Sequence, residues 1–282
     1  MLFDLQSPRR RRVVRIVFGG LALIFAISFV FLGVGTGAGG FSFSSLFGGG
    51  GGSTSSAFDG QISTAEKQVA LNPNDTQALA SLVQFNYSAA NANVDSSGAP
   101  TSDGVQHLER AADAWNKYFR LTNGKGNNGT AVYALNTLDL LARVNFAKAR
   151  SDTSTTDALT DVTAAVDAWK TAAQAQQVLI NQQPNKATSN SYANLAQYLY
   201  LAGDTKGGDQ AAAQAKQAKG ADPSTIDQQL KQIQQLGQQL QTAITQLQKQ
   251  QQKAQGAGGG NPLGGVGGSG GGSLGGVGTG GL

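Results

Sequence analysis

The stretch that decides the fold class is Tyr192–Ala215, which reads YANLAQYLYLAGDTKGGDQAAAQA. Its first half places apolar residues three and four positions apart, which is the spacing of a helix that packs one face against a core. Gly203-Asp204 interrupts this pattern, and small residues then recur at helical spacing in the second half. Because Gly and Asp between two periodic segments indicate a turn, the stretch predicts two helices joined by a short connection.

The pattern of the first helix occurs twice more, upstream of Tyr192. The segments that start at Leu79 and Leu138 read LxxLVxxNY and LxxLAxxNF, compared with YxxLAxxLY from Tyr192. The tripeptide Asp-Ala-Trp starts at Asp113 and again at Asp167, 54 residues later, and the same 54 residues separate Leu138 from Tyr192. Two independent alignments with one offset indicate an internal repeat, which is typical of stacked helical hairpins.

Turn-forming residues divide the rest of the chain into further helices, and no alternating, strand-like segment competes with them. The predicted breaks lie at 72–74, 96–104, 122–129, 151–155, 183–185, 203–204 and 220–223. The sequence therefore predicts an all-α protein.

These segments resemble tetratricopeptide (TPR) repeats, and the resemblance covers about Ser63–Pro223. It implies a solenoid of helical hairpins whose first helices line a groove that binds protein or peptide. The groove positions that the resemblance implies are Gln84, Tyr87, Arg143, Phe146, Gln197 and Tyr200. The alternative is an ordinary helical bundle, and aromatic residues at helical spacing are usually part of a core. Under that alternative Tyr87, Phe146 and Tyr200 pack between helices.

A long Gln-rich helix is predicted from Pro223 to about residue 254. Apolar residues recur along it with alternating spacings of four and three, which is a coiled-coil-like pattern, and Gly237 occupies one position of that stripe. Two interpretations remain open. The stripe either joins a second copy or another partner through 223–254, or it caps the last repeat of the same chain.

Val13–Val34 is a run of 22 residues whose one charged residue is Arg15. A helix of that length spans roughly 33 Å, which is enough for a bilayer core. Arg9–Arg12 precede the run, so the positive-inside rule places the N-terminus in the cytosol and the rest of the chain outside. A cleaved signal peptide is the alternative, although its apolar stretch is normally shorter. The segment Arg15–Gly35 also resembles the membrane anchors of parvulin-type periplasmic chaperones.

These features predict six regions. They are a basic cytosolic stub (1–12), a transmembrane anchor (13–35), a Gly/Ser-rich linker (36–60), a TPR-like helical domain (61–222), a coiled-coil-like helix (223–254) and a Gly-rich tail that we expect to be disordered (255–282).

The composition argues against several classes of function. The net charge of +4 comes from the residues around the anchor, because Lys and Arg equal Asp and Glu in number after residue 35. We therefore expect no nucleic-acid partner. The chain has no Cys and one histidine, His107, so we expect no catalytic residues, metal ion or cofactor, and we interpret His107 as a solvated or packed helix residue.

The sequence thus favours a membrane-tethered adaptor or chaperone-like protein that binds polypeptides outside the cytoplasmic membrane. Its architecture resembles that of single-pass, TPR-bearing accessory proteins of bacterial Sec translocons. The alternative is a structural, oligomerising subunit of an envelope assembly such as a pilus, secretion or division machine. An enzyme is the third and least favoured class.

Overall fold

The computed structural model describes residues 55–218 and 221–257. This part of the chain contains eight α-helices, one 3-10 helix and no β-strand. The α-helices are α1 (Ser55–Leu71), α2 (Thr76–Ala92), α3 (Ser102–Leu121), α4 (Asn128–Ser151), α5 (Thr155–Gln182), α6 (Ser189–Leu201), α7 (Thr205–Gln217) and α8 (Pro223–Ala257). The 3-10 helix is Pro184–Lys186. The predicted all-α class is confirmed.

The helices begin at short polar side chains that satisfy the free backbone N–H groups of the first turn. Asp75 accepts hydrogen bonds from the backbone of Gln77 and Ala78, and Asn127 accepts one from Thr130. The connection after α6 turns at Gly203, whose φ of 83° is a conformation that favours glycine. Each predicted break overlaps a connection between helices, although the breaks at 96–104, 122–129, 151–155 and 220–223 extend into the ends of the adjoining helices.

Helices that follow each other along the chain contact each other. The hairpins are α2 with α3, α4 with α5, and α6 with α7, and α1 packs on α2 at the N-terminal side. The first helices α2 and α4 also contact each other across hairpins, as do α6 and α8. The result is an ordered series of hairpins.

The core consists of Leu, Val and Ile side chains with many Ala residues, which let the helices approach closely. It forms two clusters, the first with residues from α1 to α5 and the second with residues from α4 to α8, and Tyr198 packs against both. The repeated Asp-Ala-Trp motif has the same environment in both copies. Trp115 and Trp169 are buried, whereas Asp113 and Asp167 are exposed.

The apolar stripe of α8 is covered by the same chain. Five of its residues are buried in the second cluster, namely Ile226, Leu230, Ile233, Leu236 and Leu240. Gly237 lies where α8 meets the end of α6, because a Cβ there would overlap the carbonyl oxygen of Tyr200. These five residues therefore bear out the capping interpretation, whereas association of a second copy or a partner through 223–254 stays a prediction.

Two predicted boundaries differ from the structure. α1 begins at Ser55, inside the segment predicted as linker (36–60), and Phe58 packs against the first core cluster. α8 continues to Ala257, three residues beyond the predicted end at 254. The predicted stub and anchor, and most of the predicted tail, lie outside the described residues. Within the described part of the chain, no helix combines the length and apolar character needed to cross a bilayer.

Candidate protein-binding surface

The polar residues predicted for the groove lie on the three first helices. Gln84 on α2 and Arg143 on α4 are exposed, and Gln197 on α6 is half-buried. Each of these side chains is therefore at least partly accessible to a partner. We call the surface formed by these three residues, Asp139 on α4 and Tyr198 on α6 the first-helix surface.

Tyr87 is not part of that surface. Its side chain is 3% exposed, and its ring centroid lies 5.8 Å from that of Tyr133 on α4. Burial raises the pKa of the Tyr87 hydroxyl, and hydrogen bonding to Asn91 and Asn136 opposes this effect. The prediction of Tyr87 as an exposed groove residue is wrong because this ring forms the contact between two first helices.

Tyr200 is also buried, and its prediction as an exposed groove residue is wrong for a similar reason. The side chain is 5% exposed and packs into the second core cluster. Its hydroxyl donates a hydrogen bond of 2.8 Å to Asp209 on α7. Burial raises the pKa of this hydroxyl, and the neighbouring Asp209 carboxylate raises it further. Tyr200 therefore joins α6 to α7.

Phe146 has an intermediate position. It is half-buried, and its ring centroid lies 5.9 Å from that of Trp169 on α5. This contact lies within the α4–α5 hairpin. Phe146 therefore offers a partner only the part of its ring that the hairpin leaves uncovered.

Two residues of the first-helix surface were missed by the sequence interpretation. Asp139 forms an ion pair with Arg143 one turn along α4, at 2.9 Å between Oδ2 and Nε. Tyr198 of α6 lies close to both charges. Burial raises the pKa of the Tyr198 hydroxyl, Asp139 raises it further and Arg143 lowers it. The repeat alignment could have placed Asp139 and Arg143 on one face, but nothing in it indicates that Tyr198 reaches across from the next hairpin.

His107 is held by a buried amide. Asn86 donates from Nδ2 to the carbonyl of Leu82 at 3.0 Å, so its Oδ1 accepts from His107 Nδ1 at 2.9 Å. Burial lowers the pKa of His107, and Arg110 lowers it further, while Asp59, Asp103 and Glu66 raise it. The interpretation of His107 as a packed helix residue is confirmed by this geometry, which fixes the tautomer of the imidazole and holds α3 to α2.

A cleft of about 420 Å³ lies beside the open end of the α4–α5 hairpin. We call it the hairpin-end cleft. Its lining includes apolar residues of α4 and α5, buried and half-buried amides, and one cation from the 3-10 helix. The lining residues include Asn128, Val132, Gln176, Leu179, Ile180 and Lys186. A second cleft of about 390 Å³ lies between α3 and α5, with Arg120, Asp167 and Lys170 in its lining.

The described residues contain no group of three or more His, Cys, Asp or Glu that could hold a metal ion. No protein-family model matches the chain, and neither the curated proteins nor the solved structures include one that is similar to it.

Proposed function

We propose that this protein binds polypeptides outside the cytoplasmic membrane through its first-helix surface, while an N-terminal anchor at 13–35 tethers it to the bilayer. The helices form a TPR-like solenoid, with α1 before the first hairpin and α8 after the last. In this role the protein is an adaptor or chaperone-like accessory that meets newly exported chains, and the Sec translocon is the first partner to test.

The observation that carries the proposal is the set of contacts that link the first helices to each other and to the core. The Tyr87–Tyr133 ring contact joins α2 to α4, and Tyr198 of α6 packs against the core cluster to which α4 contributes. Each of the three helices then presents one long polar side chain, from Gln84, Arg143 or Gln197. A row of such helices provides an extended binding surface in repeat proteins.

The composition of this surface suggests the strength of binding. Binding hot spots are usually aromatic or Arg side chains that become fully desolvated. Here Tyr87 and Tyr200 are buried inside the protein, and Arg143 already has Asp139 as an ion partner. The exposed groups are mainly amides, which can hydrogen-bond to any main chain. This pattern favours weak contacts with many extended polypeptides over tight binding of one folded partner.

The test is photo-crosslinking in cells from a photoreactive residue placed at Gln84, Arg143 or Gln197, followed by mass spectrometry. Asp113 on α3 and Gln177 on α5 serve as matched controls, because both are exposed on second helices and neither lines one of the two clefts. We expect crosslinks to translocon subunits and to many exported proteins from the first helices, at higher yield than from the controls. Equal yields from both sets of positions would contradict the proposed surface.

The same experiment separates the proposal from a structural role. Crosslinks to a single envelope partner, or to a second copy of the chain, would favour a subunit of an envelope assembly. Self-association would then need a surface other than the apolar stripe of α8, whose central residues are buried in the same chain.

A further inference from the structure

The hairpin-end cleft exists because one hairpin is longer than its neighbours. Applying the 54-residue offset of the repeat to Leu121, where α3 ends, gives Ala175, but α5 continues seven residues further, to Gln182. The same offset relates Ser189, where α6 begins, to Leu135, but α4 begins seven residues earlier, at Asn128. The α4–α5 hairpin therefore extends about 10 Å, or two helical turns, beyond the repeat pattern.

The residues of this extension line the cleft. Val132 on α4 contributes one side, and Leu179 and Ile180 on α5 contribute another. Val132 is one of three large apolar residues among the described residues that are exposed, with 44% of its surface accessible. The extension is also held in place, since Gln182 donates to the carbonyl oxygens of Lys125 and Gly126 at 3.2 and 3.0 Å. The cleft is therefore a preformed apolar depression on a fixed hairpin end.

The polar groups of the cleft include the amide side chains of Gln176 and Asn128. Gln176 is 5% exposed and donates to the carbonyl of Ser191 at 3.1 Å. Asn128 has a buried carbonyl oxygen, Oδ1, without a hydrogen-bond partner among the described residues. Buried polar atoms without a partner are rare in folded proteins. Both amide residues line the cleft, so its apolar surface is bordered by polar groups.

The charged side chain that lines the cleft is positive. Lys186 from the 3-10 helix is the single charged residue in the lining, and no Asp or Glu contributes. The cleft also borders the first turns of α4 and α6, whose N-terminal ends carry a partial positive charge, and the last turn of α5, whose C-terminal end carries a partial negative charge. An acidic side chain is therefore complementary to this rim, and a basic one is repelled by it.

We propose that the hairpin-end cleft is a second binding site for polypeptides, which takes an aliphatic side chain next to an acidic one in an extended segment. This inference rests on the proposed function, because it gives the first-helix surface a neighbouring site that selects by sequence. The aliphatic side chain lies against Val132, Leu179 and Ile180, and the acidic side chain pairs with Lys186.

The test uses two blocked, fluorescein-labelled peptides, one with Leu-Asp-Leu-Asp between Gly-Ser flanks and one with Leu-Lys-Leu-Lys. Each is titrated by fluorescence anisotropy into the full-length chain in lipid nanodiscs. We expect the acidic peptide to bind more tightly than the basic one. We expect Lys186→Gln to weaken that binding by about two- to fivefold, as the loss of an exposed ion pair predicts. We expect Val132→Asp to weaken it by about fivefold or more, because the new carboxylate faces the acidic peptide with a charge of the same sign.

Matched controls keep the test specific. Ala147→Asp places the same charge at an exposed position further along α4, and Lys206→Gln removes a charge from exposed α7. Both should bind the acidic peptide like the unchanged protein, and all four variants should unfold at the same urea concentration, because all four positions are exposed. Equal affinities for the two peptides, no binding of either, or equal effects of Val132→Asp and Ala147→Asp would overturn the inference. If crosslinks from Gln84, Arg143 and Gln197 persist in that case, the proposed function stands without this cleft.

Discussion

At the scale of single residues, Gly237 allows α8 to contact the end of α6 because it has no side chain. A Cβ at this position would overlap the carbonyl oxygen of Tyr200 and lie 2.8 Å from its carbonyl carbon. Both are backbone atoms, so they cannot move aside as a flexible side chain would. The same glycine interrupts the apolar stripe of α8, which explains why a residue that weakens helices lies in the middle of a long one.

We predict that Gly237→Ala destabilises the protein even though Ala is the better helix former. Overpacking typically costs about 1–3 kcal/mol, and overlap with backbone atoms favours the upper part of that range, above the helix propensity gained, about 1 kcal/mol. Gly60→Ala in α1 is the matched control, because nothing lies within 4 Å of its Cβ position. The control should be neutral or stabilised. The measurement is urea unfolding followed by circular dichroism, and a stabilised Gly237→Ala would show that α8 does not contact α6 as described.

His107 predicts a pH dependence of stability. Burial and Arg110 lower its pKa in the folded protein, so the unfolded chain binds the proton more readily. The stability contributed by neutral His107 is present above the unfolded pKa, about 6.5, and is lost as the pH falls through the folded pKa. We expect urea midpoints to fall between about pH 7.5 and pH 5.5, and to fall less in His107→Gln. Equal pH dependence in both proteins would contradict this role for His107.

At the scale of helices, the decisive finding is that α8 belongs to the core. Its apolar spacing fits a coiled coil and a capping helix equally well, since both bury residues four and three apart. Periodicity shows which face is buried, but not what covers it. Contacts with α5, α6 and α7 in the same chain favour the capping helix.

Leu240→Ala separates a cap from a dimerisation helix. Leu240 is 3% exposed in the second core cluster, and truncation of a buried Leu costs about 2–5 kcal/mol. We expect that loss at every protein concentration, because the contacts lie within one chain. Gln239→Ala, at the neighbouring exposed position, should change little. A loss that disappears at high protein concentration would instead indicate that α8 pairs with a second copy.

The boundaries of the helices were more predictable from sequence than the surface was. Residues such as Asp75 and Gly203 end or begin helices through local backbone chemistry, which depends on few neighbours. The exposure of Tyr87 and Tyr200 depends on which helix lies opposite each ring, and that information is not local. The hairpin-end cleft arises because the α4–α5 hairpin is longer than the repeat pattern predicts. The 54-residue offset gives the expected helix ends, but the extra length follows only from the observed ends of α4, α5 and α6.

At the scale of the whole molecule, the order of the described helices is compatible with the proposed tether. α1 is the helix nearest to the predicted anchor, and it packs on α2 at one end of the series of hairpins. The hairpin-end cleft and the polar residues of the first-helix surface lie on later elements, α2, α4, α5 and α6. A chain attached through the segment before α1 would thus keep these surfaces free for polypeptides that emerge from the membrane.

We predict that the chain is membrane-bound with residue 7 in the cytosol and α8 outside. Because the sequence contains no Cys, Ser7→Cys and Ser224→Cys each introduce a single thiol, and Ser224 is exposed. A membrane-impermeant maleimide added to intact cells should label Cys at 224 and not at 7, while lysed cells should label both. The full-length chain should remain in the membrane at alkaline pH, since about 20 apolar residues suffice for a stable span. A released form that lacks residues 1–34 would instead establish cleavage, and the surfaces described here would then act without a tether.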